Sequence, residues 1–84
     1  MIVINDKYAV KSDTNQWILC RAIKPSKSQP DGWSGFKFYG SLQALISHLR
    51  GILLRESDYQ SFADLERNTR EITRLLDKKL KAVT

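Results

Sequence analysis

The strongest strand signal in the chain is the stretch QWILCRAIK, residues 16–24. Side chains of an extended chain alternate between two faces. Both faces are largely apolar here, one carrying Trp17, Leu19 and Ile23 and the other Ile18, Cys20 and Ala22. A strand that is apolar on both faces belongs in the interior of a sheet. The stretch therefore predicts a central strand, and Arg21 marks where its first face meets solvent.

A further strand is predicted on each side of this one. The segment KYAVK, residues 7–11, is partly alternating and ends at the turn-forming residues 12–15. On the other side, residues 25–32 contain two prolines and a Pro-Asp-Gly turn signal, which predict a long connecting loop. Residues 33–39 then form the third strand, on which Phe36 and Phe38 are expected to share a face while Lys37 points the other way.

The second half of the chain predicts two helices. Ser41 is a good N-cap, and the apolar residues that follow it recur with the helical period, predicting a helix to about Arg55: Leu42, Leu45, Ile46, Leu49, Ile52 and Leu53. Ser61 and Asp64 resemble a capping box, and residues 61–83 predict a long C-terminal helix whose last turns overhang the core. The predicted fold class is α+β, a three-stranded antiparallel sheet followed by two α-helices, in the order β-β-β-α-α.

Length and composition restrict the architecture to one small globular domain, residues 1–84, with 42% hydrophobic and 27% charged residues. Cys20 is the single cysteine, so an internal disulfide is excluded, and a small domain without disulfides points to a reducing compartment. The first residues carry no basic flank ahead of an apolar stretch, and no apolar run exceeds four residues. These features predict a cytoplasmic protein with no signal peptide and no membrane contact.

No residue pattern indicates catalysis. His48 is the one histidine and has no partners at metal-ligand spacing. Ser57 and Asp58 are adjacent in a predicted loop, where such a pair is ordinarily a cap or a turn. The four glycines are scattered, so they form no phosphate-binding loop. The prediction is therefore a protein that is not an enzyme, with no catalytic, cofactor-binding or metal site and no cofactor.

The charge pattern offers two candidate surfaces for a macromolecule. The net charge is +5, from fourteen basic and nine acidic residues. In the sheet, five basic residues alternate with aromatic residues and could lie along phosphates while the aromatics stack on bases: Arg21, Lys24, Lys37, Lys7 and Lys11. The alternative is that the aromatics build the core and the lysines keep the sheet soluble.

The second candidate surface lies on the C-terminal helix, where steps of three and four place five basic residues on one face: Arg67, Arg70, Arg74, Lys78 and Lys81. This basic stripe fits an acidic protein or a nucleic-acid duplex, and the alternative is a solvated helix face. The near-heptad spacing of four residues on this helix also allows a homodimer through it: Leu65, Thr69, Ile72 and Leu76.

Two resemblances follow from these patterns. Three strands that lead into Gly40-Ser41-Leu42-Gln43-Ala44-Leu45 are similar to the N-terminal arm-binding domains of phage integrases, in which a three-stranded sheet reads DNA. Four segments together resemble small bacteriophage and prophage proteins, a family that implies an accessory role and no defined activity: residues 7–13, residues 17–19, residues 41–45 and residues 54–58.

The resemblance to phage proteins implies a bacterial host cytosol as the location. The leading hypothesis is a phage-type accessory protein that binds a host or phage protein complex stoichiometrically, as an anti-defence (anti-CRISPR-like) inhibitor would. The alternative is a basic nucleic-acid-binding regulator that uses the sheet face or the C-terminal helix, and its affinity would fall steeply with salt.

Overall fold

In a computed structural model of the chain, residues 1–80 are described. They form four strands and two helices: β1 (Ile2–Val3), β2 (Tyr8–Ser12), β3 (Trp17–Ala22), β4 (Trp33–Tyr39), α1 (Leu42–Glu56) and α2 (Phe62–Leu80). The chain separates into two compact units, the first comprising Met1–Leu45 and the second beginning at Ile46. None of the helices in residues 1–80 combines the length and apolar composition that a membrane crossing requires.

The sheet has four antiparallel strands in the order β1-β2-β3-β4. The α+β class and the interior position of β3 are confirmed, but the predicted number of three strands is wrong. The missing strand, β1, contains only Ile2 and Val3, which pair with Val10 and Ala9. A two-residue strand is too short for alternation to reveal, although its β-branched residues favour an extended chain. Asn5 helps to reverse the chain after β1, since its Oδ1 accepts bonds of 2.8 Å from the amides of both Lys7 and Tyr8.

A β-bulge divides the aromatic residues of β4 between the two faces of the sheet. Leu19 pairs with Lys37 and Cys20 pairs with Gly35, so Phe36 is the extra residue. An extra residue in one strand reverses the alternation beyond it. The prediction that Phe36 and Phe38 share a face is therefore wrong. Phe36 lies on the side of Tyr8 and Arg21, whereas Phe38 pairs across the sheet with Ile18.

The two faces of the sheet can be named by their central residues. The Leu19 face carries Val10 and Leu19, both buried, together with Tyr8, Arg21 and Phe36. The Trp33 face carries a small apolar cluster of Ala9, Ile18 and Cys20, on which the half-buried Trp33 packs. Residues 18–20 of β3 are therefore apolar and buried on both faces, as the sequence predicts for the middle of this strand.

The helix N-termini are capped as predicted. Ser41 Oγ accepts a bond of 3.2 Å from the Ala44 amide, and Ser61 Oγ accepts one of 3.1 Å from the Asp64 amide. Each cap satisfies a backbone donor that the first turn of a helix leaves without a partner. In the second unit, the buried residues are Leu49, Leu53, Ile72, Leu76 and Leu80. The helix predicted over residues 61–83 is observed as Phe62–Leu80, and residues 81–83 lie outside the described chain.

Candidate macromolecule-binding surface

The Trp33 face brings exposed apolar side chains together with an unpaired lysine. Val3 and Phe38 stand on this face because they pair with Ala9 and Ile18, and their exposed fractions are 46% and 57%. Lys11 on β2 and Phe38 on β4 both pair with Ile18 on β3, so the three side chains form one row across this face. Within residues 1–80, Lys11 is exposed and forms no ion pair. Val3 and Phe38 lie on the two outer strands, β1 and β4, with Lys11 on β2 between them. Exposed apolar residues bordered by polar ones are typical of an interaction surface.

Gly35 determines how the aromatic side chains cover this face. A Cβ built on Gly35 would stand 2.8 Å from Ile18 Cγ2, which is closer than real Cβ atoms approach, and 3.8 Å from the ring of Phe38. The absence of a side chain at residue 35 leaves this space to Ile18 and the Phe38 ring. An isolated glycine inside a strand pattern is a sequence signal for a bulge or a close approach. That signal indicates the irregularity in β4, but it does not report that Phe38 is exposed.

Cys20 is an apolar component of this face and not a reactive thiol. Its exposed fraction is zero, and burial raises the pKa of the thiol, with a smaller opposing effect from the charge of Lys11. A thiol with a raised pKa contains little of the thiolate form that reacts with electrophiles. The sequence-based interpretation of Cys20 as a small hydrophobic residue agrees with this geometry.

The predicted basic residues of the sheet do not form one surface. Arg21 lies two residues after Leu19 on β3, and Lys37 on β4 pairs with Leu19. Both therefore belong to the Leu19 face. Lys24 lies beyond the end of β3, in the loop. Arg21 is also engaged, because its Cζ lies 5.3 Å from the centre of the Phe36 ring, within range of a cation–π contact. A single basic sheet face for phosphate binding is therefore absent from the sheet of residues 1–45.

The basic stripe of α2 exists, but acidic residues border it on both sides. Arg67, Arg70, Arg74 and Lys78 are exposed and fall opposite the buried Ile72 and Leu76. At 3.6 residues per turn, Glu66 and Asp77 lie along one edge of the stripe, and Asp64 and Glu71 lie along the other. The Asp64 carboxylate reaches the Arg67 guanidinium at 3.5 Å. Lys81, the last predicted member of the stripe, lies outside the described residues.

The near-heptad seam of α2 is covered within a single chain. Ile72 and Leu76 are 9% and 2% exposed, and Leu65 and Thr69 are half-buried. Thr69 also turns its hydroxyl back onto the helix, where Oγ1 donates to the Leu65 carbonyl at 2.7 Å. Ile72 and Leu76 are therefore used inside the chain, and a homodimer through this helix stays a prediction.

A polar depression of about 330 Å³ lies at the β2–β3 turn, lined by residues 12–17 and Gly40. The Asp13 carboxylate is committed to the turn: Oδ1 accepts from the amides of Asn15 and Gln16 at 2.9 and 3.0 Å, and Oδ2 accepts from Gln16 Nε2 at 3.2 Å. These bonds, first the one from the Asn15 amide, lower the pKa of Asp13. The carboxylate serves the turn, and the depression carries no further acid or base.

Among residues 1–80, no group of three His, Cys, Asp or Glu side chains is arranged to hold a metal ion. Comparison of the chain with models of known protein families, with curated proteins and with solved structures returned no match. No residue role or partner is therefore transferred from another protein, and the assignment of a function depends on the surfaces described above.

Proposed function

We propose that the protein acts by stoichiometric binding, and that its Trp33 face contacts a protein surface with both apolar and acidic groups. The observation that carries this proposal is the exposure of Phe38 and Val3 on the same sheet face as the unpaired Lys11. Aromatic anchors surrounded by polar residues contribute most of the binding free energy in protein interfaces. A phage accessory protein that engages a host or phage complex remains our hypothesis for its biological setting.

The charge of the first unit supports an acidic partner. Residues 1–45 contain six basic and three acidic residues. Two of the acidic groups are held in turns, since Asp13 accepts bonds from Asn15 and Gln16 and Asp31 Oδ1 accepts from the Trp33 amide at 3.1 Å. The first unit therefore carries an excess of positive charge, which favours an acidic partner surface and faster encounter with it.

A nucleic-acid partner is the second candidate, and the geometry supports it less. Binding to a phosphate backbone requires several Lys or Arg side chains on one surface. Of the predicted sheet residues, Arg21 and Lys37 are on the face opposite to Lys11, and the stripe on α2 is bordered by four acidic residues. Neither surface concentrates positive charge as a duplex requires.

The experiment that tests the proposal is an affinity purification of the tagged chain from bacterial lysate, with and without nuclease. The variants are Phe38→Ser and, as the matched control, Lys37→Ser, which alters the adjacent exposed residue on the opposite face. We expect a stoichiometric protein partner that survives nuclease, is retained by Lys37→Ser and is lost with Phe38→Ser. Recovery that disappears with nuclease, or a partner retained by Phe38→Ser, would contradict the proposal.

A further inference from the structure

Strand β4 is an end strand of the sheet, so one of its edges has no neighbouring strand. In an antiparallel sheet, the backbone N–H and C=O of successive residues point alternately to the two sides of a strand. The Ala22 amide donates to the Lys7 carbonyl at 2.8 Å, toward β2. Counting back along β3, the backbone groups of Leu19 therefore point the other way, toward β4.

Phe38 presents both its backbone and its side chain at the outer edge of β4. Leu19 pairs with Lys37, so the backbone groups of Lys37 point inward and those of Phe38 point out of the sheet. Within residues 1–80, neither backbone group of Phe38 has a backbone partner beyond the sheet, and its side chain is 57% exposed. An end strand with free donors and acceptors is a template on which a further strand can pair.

The charge on this edge determines which strand fits it. Lys37 is exposed and forms no ion pair within residues 1–80, and lysine on a sheet edge disfavours pairing with an edge that offers no counter-charge. Neither end strand, β1 or β4, contains an acidic residue. A second copy joined through either strand therefore leaves Lys37 uncompensated. A strand of another protein with an acidic residue opposite Lys37 compensates it, and such cross-strand pairs are stabilising.

We infer that the partner binds through an extended segment that adds a strand to the sheet along β4. The inference rests on the proposed function and specifies the chemistry of the partner, a segment in which apolar and acidic residues alternate. The apolar residue opposite Phe38 lies on the Trp33 face, and the acidic residue next to it lies opposite Lys37 on the Leu19 face. One such charge pair changes the affinity by no more than about fivefold, so Lys37→Ser still retains the partner.

Two synthetic peptides test the inference on the purified, isotope-labelled chain. Each has capped ends and about eight residues, an ordinary strand length. One alternates valine with glutamate and the other alternates valine with lysine. In NMR titrations to about 1 mM, the range of weak association, we expect the glutamate peptide to shift the amide signals of residues 37–39 and to bind at least about threefold more tightly than the lysine peptide. A glutamate peptide that leaves these signals unchanged overturns the inference.

Reversal of the charge on the edge should reverse the preference for the peptides. Lys37→Glu is expected to bind the lysine peptide more tightly than the glutamate peptide. Lys24→Glu is the matched control, because it changes the net charge equally but lies beyond the end of β3, and it should keep the wild-type preference. The same reversal in both variants would show that the overall charge of the chain selects the peptide, and the edge of β4 would not be the site.

A change of one backbone group separates strand addition from contact with side chains alone. N-methylation of the Phe38 amide in a chemically synthesised chain removes the outward donor and keeps the ring, and circular dichroism verifies the fold. Because one hydrogen bond is lost, we expect the glutamate peptide to bind about threefold to tenfold more weakly. Unchanged affinity would mean that the backbone of β4 takes no part, which contradicts strand addition.

Failure of this inference can be distinguished from failure of the proposed function. A protein partner that is retained by Phe38→Ser contradicts the proposed function. A partner that is lost with Phe38→Ser but binds the N-methylated and unmodified chains equally well supports the Trp33 face as its site and contradicts the added strand alone.

Discussion

The first unit, which contains the sheet, and helix α2 differ in how their charges are balanced and in how far their apolar residues are exposed. Helix α2 has five basic and four acidic residues, arranged so that acidic residues border its basic stripe, and Ile72, Leu76 and Leu80 are buried. The sheet unit leaves basic residues uncompensated and exposes Val3 and Phe38. A row of positive charges is therefore a poor indicator of a binding surface by itself. Uncompensated charge beside exposed apolar surface is a more selective one.

The largest effect is expected at Gly35, where the shape of the Trp33 face is determined. Gly35→Ala places a Cβ 2.8 Å from Ile18 Cγ2, and the repacking should lower the free energy of unfolding by about 1–3 kcal/mol. Gly40→Ala is the matched control, because a Cβ there meets no described atom within 4 Å. Urea denaturation measures both. Equal stability of the two variants would contradict the close approach at Gly35.

A smaller effect is expected in the helical unit at Asn68. Asn68→Ala removes the two bonds to Ser57 and Asp58, each worth about 0.5–1.5 kcal/mol net, and should lower the free energy of unfolding by about 1–2 kcal/mol. Arg67→Ala is the control on the neighbouring residue, since its exposed ion pair with Asp64 contributes about 0–1 kcal/mol. Hydrogen exchange at the amides of residues 57–61 should accelerate only in Asn68→Ala.

Local and non-local features of this fold differ in how well the sequence predicts them. Periodicity and capping residues predicted α1 and α2 to within a few residues, because Ser41 and Ser61 cap helices by local bonds. The count of strands and the exposure of Phe38 were missed, because both depend on non-local pairing: β1 has two residues, and the bulge reverses the alternation after Gly35. The sequence predicts the site from charge patterns, which do not report how neighbouring charges compensate each other.

Because acidic residues border the basic stripe of α2, we expect little effect on partner binding from changing that stripe. Arg70→Gln with Arg74→Gln keeps good helix formers and removes two exposed charges from the stripe. The affinity for a protein partner should change by less than about twofold. Each phosphate contact contributes about 0.9 to the slope of log affinity against log salt. A loss of nucleic-acid affinity with a slope reduced by about two would show that the stripe is the binding surface, contrary to our account.

The smallest effect is expected at the β2–β3 turn, from Asp13. Its pKa is lowered in the folded chain by the bonds from Asn15 and Gln16, so the stability that these bonds contribute is complete above the ordinary pKa of 3.8 and is lost as the pH falls below it. The midpoint of urea denaturation should decline more steeply between about pH 5 and pH 2 in the wild-type chain than in Asp13→Asn. Identical pH profiles would show that the turn does not use the carboxylate charge.

The measurement that tests the central claim most directly is an NMR footprint of the purified protein partner on the isotope-labelled chain. Our account predicts that the amide and methyl signals of the Trp33 face change on binding, at Val3, Lys11, Ile18 and Phe38, while those of Arg67, Arg70 and Arg74 on α2 do not. Signal changes confined to the basic stripe of α2, or to Arg21 and Lys37 on the Leu19 face, would contradict it.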